Sequence, residues 1–302
     1  MNNSLLEKLQ KSELKFEENK ILAPFTTWQV GGPAKFFIEV ENSEQAQKAF
    51  SIIKETESNY LILGKGSNVL IADEGFVGVA IKMSNNEISI KNREVCADAG
   101  AMYSRVGNLT VAASLQGMEF AATIPGSVGG AVRGNAGAFG TETKDHLEKV
   151  EYLDLDDKII KIKTASKDDC KFNYRDSVFK HNKRLILKTY FKLEKGNKEE
   201  SENKIKEFIA QRKAKQPYGK SCGSVFKNPE PQFAGELIEK NGLKGYCIGS
   251  ACVSEQHANF ILNKDKATAQ DIYNLIKHIQ KVILENENIK LETEVQLLGF
   301  NK

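Results

Sequence analysis

Five segments of this 302-residue chain combine residue types that can do chemistry. Two are rich in glycine. Gly64–Asn68 (GKGSN) follows the apolar run YLIL, and Thr123–Gly140 (TIPGSVGGAVRGNAGAFG) holds six glycines. Glycine lets a main chain approach a ligand closely, and successive N–H groups can then cradle phosphate oxygens. GKGSN lacks the third glycine of a dinucleotide fingerprint, and its lysine is out of frame for a Walker loop. Taken alone, a tight turn explains it equally well. The longer segment carries Ile124, Val128, Val132 and Phe139, which are too apolar for a solvent loop, so it reads as a binding segment. Two phosphate-friendly stretches imply a ligand with two phosphates, a dinucleotide.

The other three segments carry reactive side chains. Phe172–His181 (FNYRDSVFKH) sets phenol, guanidinium, carboxylate and hydroxyl side by side at Tyr174, Arg175, Asp176 and Ser177. Arginine grips carboxylates in bidentate fashion, although for this segment alone a structural ion pair is the better explanation. In Lys215–Pro229 (KQPYGKSCGSVFKNP), Ser224 is not set in the GxSxG frame of a hydrolase, and His257 is the only evident downstream base. Alone, this segment is a turn. In the closing LETEVQLLG, strand alternation puts Glu292 and Glu294 on one face and Leu291, Thr293 and Val295 on the other.

Strand and helix patterns alternate around these segments. Strands are expected at Ala34–Val40, Tyr60–Leu63, Val150–Leu155, Ile159–Ile162, Leu185–Leu193 and Ile289–Gly299. VLIA and VGVAIKM add two shorter ones. Helices are expected near Ser43–Lys54 with Ser43 as N-cap, over Tyr103–Gln116 up to Gly117, and over Ile205–Lys215 before Pro217. Residues 124–140 read as one long loop. Ile272, Leu275, Ile276, Ile279, Val282 and Ile283 share one helical face and should be core. The polar run Glu194–Lys204 reads as a linker or a solvated helix start and is taken as the domain boundary. The expected fold is α+β: an arm at 1–28, a two-part domain at 29–194 and a smaller α+β domain at 195–302.

Hydrophobic residues at 40%, charged residues at 27% and a net charge of +3 describe an ordinary globular protein with no general affinity for nucleic acid. No apolar run reaches the roughly 18 residues of a membrane span. The polar N-terminal stretch lacks the apolar core of a signal peptide. Five cysteines without metal-ligand spacing read as reduced structural thiols of a cytoplasmic protein, with no metal site.

Taken together, TTWQVGGPAKF, GKGSNVL, TIPGSVGGAVRGNAGAFG, YRDSVFK, GSVFKNP and LETEV resemble, in order, the UDP-N-acetylenolpyruvoylglucosamine reductase family across nearly the whole chain. The resemblance implies an FAD-binding domain of the vanillyl-alcohol oxidase/p-cresol methylhydroxylase type and a C-terminal substrate-binding domain. It implies a cytoplasmic, monomeric enzyme of peptidoglycan precursor synthesis, cell wall biogenesis, cell shape and cell division. NADPH would be the hydride donor and UDP-N-acetylglucosamine enolpyruvate the substrate, reduced to UDP-N-acetylmuramate. Ser224 would protonate the α-carbon, with Arg175 and Glu294 holding the substrate carboxylate. Glu294 would act protonated, with a raised pKa in a closed site.

The cofactor positions implied are Gly64, Lys65, Gly66, Ser67, Asn68, Thr123, Pro125, Gly126, Ser127, Gly130, Asn135, Ala136 and Gly137. Neither segment contains histidine, so FAD should be non-covalent. Tyr174, Arg175, Lys215, Asn228 and Gln256 would contact substrate. About 34 residues separate Lys180 from Lys215, which places the chain with members lacking a long tyrosine-bearing insertion. The competing function is an FAD-dependent alcohol or sugar oxidase of the same superfamily, which needs neither the GSVFKNP serine nor the terminal glutamate.

Overall fold

The computed structural model describes residues 2–300. The chain folds into two compact units. The first takes the chain through Glu18, then Phe36–Lys65 and Gly78–Ala210; the second takes Asn19–Lys35, Gly66–Val77 and the chain from Gln211 onward. This interleaved division differs from a simple cut at 28/29 and 194/195, and packing within the second unit explains it. Trp28 is fully buried in that unit's core, and its indole N–H donates to the carbonyl of Ile261 at 2.8 Å. Val69–Ile71 pairs in parallel with Gln296–Leu298. Both early segments thus find their apolar and hydrogen-bonding partners far along the chain.

In the first unit an antiparallel sheet runs in the order Lys163–Ser166, Leu147–Asp154, Arg184–Lys192, Glu94–Asp98, Ile88–Lys91. A four-stranded sheet runs Phe16–Ile21, Pro33–Val40, Phe76–Met83, Tyr60–Leu63, the last two being parallel, with Leu63 beside Lys82. Helix Ser43–Glu55 buries Ala46, Ala49, Phe50, Ile52 and Ile53, and Asn42 caps it in place of Ser43, its side chain accepting from the Gln45 N–H at 2.9 Å. In the second unit helix Ala269–Glu287 buries Ile272, Leu275, Ile276, Ile279 and Ile283. Thr268 and Asp271 close a capping box at its start. The Asp73 carboxylate also accepts from the N–H groups of Ala269 and Gln270 at 2.9 and 3.0 Å.

Several local expectations change. Of the two readings of Glu194–Lys204, the helix start holds, because most of the run opens the helix Lys198–Lys215; Ser201 in that helix donates to the buried carboxylate of Glu119 at 2.7 Å. The stretch 124–140 is not one loop, because Ser127 caps a short helix, Val128–Arg133. The strand expected at Ile159–Ile162 lies at Lys163–Ser166, leaving Ile159 and Ile162 exposed. The closing strand is confined to Gln296–Leu298, preceded by a single bridge between Thr293 and Phe226. The cysteines are not all reduced: Cys247 and Cys252 form a disulfide. Their strands pair antiparallel with these two residues opposite each other, and the 4.1 Å between their Cα atoms brings the sulfurs within bonding reach. Among the described residues no helix is long and apolar enough to cross a membrane.

Candidate active site

The first unit brings the beginnings of the two glycine-rich segments together. A Cβ added at Gly64 would lie 2.1 Å from the Ser127 Oγ, so any larger residue there would have to displace that hydroxyl. Ser127 in turn accepts from the Gly130 N–H at 3.3 Å, while Val128 and Gly129 donate to the carbonyls of Ala101 and Ala99. Thr123 turns inward to the carbonyl of Phe120, and Gly126 accepts from the Tyr103 N–H. Lys65 at the tip is exposed.

The end of the long segment is tied to the arginine motif. Asn135 is fully buried, and its amide donates at 3.0 Å both to Glu142 and to the carbonyl of Asn173. Its side-chain oxygen accepts from the Lys144 N–H, so this side chain holds two loops in register. The Ala136 carbonyl accepts from both the N–H and the hydroxyl of Thr143. Gly137 pairs with Glu142 across a two-residue hairpin, and a Cβ there would meet Glu142 and Thr141 at 2.8 Å.

Arg175 adopts left-handed backbone (φ 51°). Its guanidinium donates to the Gly137 carbonyl at 2.9 Å, stands 3.8 Å from the Glu142 carboxylate and covers the ring of Tyr174, itself 38% exposed. The rest of the motif is structural. Ser177 is buried and donates to the Arg133 carbonyl at 2.8 Å, and Asp176 pairs with His181 at 2.9 Å.

In the second unit the backbone organises the site. Ser224 bridges Phe260, and the next residue anchors two neighbours: the Val225 N–H donates to Asn259, and the Val225 carbonyl accepts from the Glu294 N–H at 2.8 Å. Asn259 also clamps Phe226, accepting from its N–H and donating to its carbonyl, both at 2.9 Å. Ser224 and Glu294 are thereby brought to adjoining extended segments. Asn68 joins them, its amide donating to the Glu294 carbonyl at 3.2 Å and its own carbonyl accepting from the Gln296 N–H. Gly66 needs its left-handed backbone (φ 64°), since a Cβ there would lie 1.8 Å from the Phe25 carbonyl.

Burial, followed by the charge of Glu294, pushes the Cys222 thiol well up. Burial also lowers the His257 imidazole, whose Nδ1 accepts from the Asn259 N–H at 3.2 Å, which puts any ring proton on Nε2. Glu292, the other strand glutamate, is exposed and pairs with Lys227 at 2.6 Å.

The remaining expected substrate residues divide in two. Lys215 is exposed at the helix end. Gln256 donates to the carbonyls of Lys213 and Ala214, fastening that end, and Asn228 accepts from the Ala234 N–H at the start of the helix Ala234–Lys240. Sequence reasoning passed over Glu142, Asn259 and Lys82. The first two look like ordinary loop residues. Lys82 stands out in hindsight as the one charge in the apolar strand VGVAIKM.

Comparison with known proteins agrees with this geometry. A model of an FAD binding domain matches residues 34–163, and one of the UDP-N-acetylenolpyruvoylglucosamine reductase C-terminal domain matches residues 213–298. The UDP-N-acetylenolpyruvoylglucosamine reductase of Caldanaerobacter subterraneus subsp. tengcongensis is 38% identical over 99% of both chains. That of Clostridium novyi is 39% identical over 99% of this chain and 96% of its own. The crystal structure of the Thermus caldophilus reductase superposes with a TM-score of 0.82 at 33% identity, over 94% of this chain and 99% of that one. The glucose dehydrogenase Phl p 4.0202 shares the fold alone, with a TM-score of 0.50 at 14% identity over 64% of this chain.

The fold is thus α+β, an FAD-binding domain joined to a C-terminal domain, and the protein is a flavin-dependent oxidoreductase. The chain belongs to the UDP-N-acetylenolpyruvoylglucosamine reductase family.

Proposed function

We propose that the protein reduces UDP-N-acetylglucosamine enolpyruvate to UDP-N-acetylmuramate at the expense of NADPH, in the cytoplasmic synthesis of peptidoglycan precursors. Non-covalent FAD would lie along Gly64–Asn68 and Thr123–Gly137, relaying hydride from NADPH to the β-carbon of the enolpyruvyl group. The convergence of two glycine segments at Gly64 and Ser127, with their side-chain bulk removed, supports an extended diphosphate ligand there.

The chain's own residues handle charge and proton. Hydride arriving at the β-carbon drives the π electron pair onto the α-carbon and its carboxylate. The Arg175 guanidinium, held by Gly137 and Glu142, stabilises that charge. Glu294, acting protonated, supplies a second donor. Ser224 gives its hydroxyl proton to the α-carbon, completing a net addition of hydride and proton. A serine is a weak acid, so this step depends on a strongly basic carbanion and on tight positioning. The single observation that carries the reading is the 2.8 Å bond from the Glu294 N–H to the Val225 carbonyl, which fixes Ser224 and Glu294 on neighbouring segments. Tyr174 and Lys215 would meet the nucleotide sugar, with Asn228 and Gln256 positioning the segments that present them.

The test separates the half-reactions. Purified protein should be yellow, NADPH should bleach it, and the enolpyruvyl substrate should restore the colour without oxygen. Ser224→Ala should leave bleaching unchanged and slow reoxidation by about 10²–10⁴-fold. Equal loss of both half-reactions would remove the proton-donor role. Bleaching by an alcohol or sugar, with colour restored by oxygen and not by the enolpyruvyl ether, would favour an oxidase instead.

A further inference from the structure

Lys82 is the penultimate residue of the strand Phe76–Met83, whose last six residues are buried, and it is itself only 8% exposed. It lies beside Leu63, the last residue of the parallel strand Tyr60–Leu63. Its ammonium folds over the strand end and donates to the Gly64 carbonyl at 2.5 Å, with a long second contact of 3.5 Å to the Met83 carbonyl. Among the described residues it has no ion pair. A desolvated ammonium hydrogen-bonded only to carbonyl oxygens is costly, because burial strips its water and no carboxylate pairs with it directly. Such a group survives where an anion arrives to complete it. Ligands of parallel strands gather at their carboxyl ends, and here those ends carry Gly64 and Lys82 together.

We infer that Lys82 is a positioning residue for the diphosphate of the cofactor. It pins the Gly64 carbonyl, so the peptide that follows presents the Lys65 N–H on the opposite side, and it lends the cradle a buried positive charge. This inference rests on the FAD-binding role of the two glycine segments and adds to it a residue outside both.

The charged groups acting on Lys82 are Lys65 on the loop and Glu39 on the strand Pro33–Val40. Burial first, then Lys65, lowers the ammonium to about 8, while Glu39 opposes the shift. An anionic ligand favours the protonated form. Binding assisted by Lys82 is therefore complete below this value and fades as pH rises through it.

The experiment uses the full chain stripped of flavin. Binding of FAD and of riboflavin, which lacks the diphosphate, is followed by flavin fluorescence from pH 6.5 to 9.5, alongside the melting temperature of the apoprotein. Lys82→Met should weaken FAD binding about 10- to 100-fold at neutral pH, the effect of losing one charge-assisted interaction. It should leave riboflavin binding and apoprotein melting near wild type and abolish the pH dependence, and Lys82→Arg should recover most of the FAD affinity. Lys65→Met should move the wild-type midpoint to higher pH. Equal weakening for FAD and riboflavin, or a lowered apoprotein melting temperature with unchanged FAD affinity, overturns the inference. A flat wild-type pH profile does so even if Lys82→Met fails to fold. No binding of FAD to the wild type would instead overturn the flavin reading beneath it.

Discussion

Arg175 and Ser224 reach their positions by opposite means. Arg175 sits on left-handed backbone, and its head group is oriented by a carbonyl 38 residues upstream and by the carboxylate of Glu142. Around it the links run largely through side chains: Asn135 to Glu142 and Asn173, Lys144 to Glu142. Ser224 occupies an extended segment whose neighbour Val225 exchanges main-chain bonds with Asn259 and Glu294, over a core of Trp28, Phe226 and the helix Ala269–Glu287. A charge that must stay fixed while a reaction builds charge against it gains from a preorganised polar network. A proton donor that must sit at the right distance gains from a rigid backbone ladder and the packing behind it. The first arrangement should fail through single polar side chains and the second through lost packing.

The largest effect should come from the packing side. Trp28→Ala removes a fully buried indole and its bond to Ile261, and should cost the folded state about 3–5 kcal/mol. Urea unfolding followed by fluorescence of a second probe would measure it. A loss below about 1 kcal/mol would mean that residues 19–35 do not belong to the C-terminal core, and the contrast would collapse.

On the polar side, Arg175→Lys keeps the charge and loses the planar fork. Turnover of the enolpyruvyl substrate should fall by about 10²–10³-fold, with flavin reduction by NADPH and folding stability close to wild type. Wild-type turnover in Arg175→Lys would show that a point charge suffices and that the anchoring is incidental. Glu142→Gln should act through Arg175 and cost roughly tenfold in turnover, since it removes one member of the network and leaves Gly137 in place. In the Arg175→Lys background it should cost much less. Additive losses would mean that Glu142 works independently of the arginine.

The contrast also separates what could be read in the sequence from what could not. Elements with strong periodicity were legible: the buried face of helix Ala269–Glu287 and the strand Tyr60–Leu63 fall where the pattern puts them. The ordered motifs were legible as a family resemblance, although the local sequence of Ser224 alone read as a turn. Pairings across long separations were not. Nothing near Trp28 says that its partner is Ile261, and nothing near Val69 says that it pairs with Gln296, so the interleaving of the two units was not legible. Polar partners were equally hidden, because Glu142 and Asn259 are ordinary loop residues until the fold brings Arg175 and Phe226 to them. Asn135 and Asn228 lie in motif segments and Gln256 outside them, yet each has side-chain atoms engaged with backbone of another segment.

The smallest effect probes a side-chain device at the edge of the ladder-built unit. The Asp73 carboxylate accepts from the first two N–H groups of helix Ala269–Glu287, donors that no helical carbonyl can reach. Its negative charge also faces the positive end of the helix dipole. The Thr268–Asp271 capping box remains when Asp73 is changed, so the helix keeps part of its cap. Asp73→Ala should therefore cost about 1 kcal/mol, within the range for a lost cap, and Asp73→Asn less, because the amide oxygen still accepts. Both variants should turn over substrate at wild-type rates, since the Val225–Glu294 ladder does not pass through this helix start. A several-fold drop in turnover at unchanged stability would mean that the ladder is tuned from Asp73, and that the second unit, too, depends on single polar side chains for its geometry.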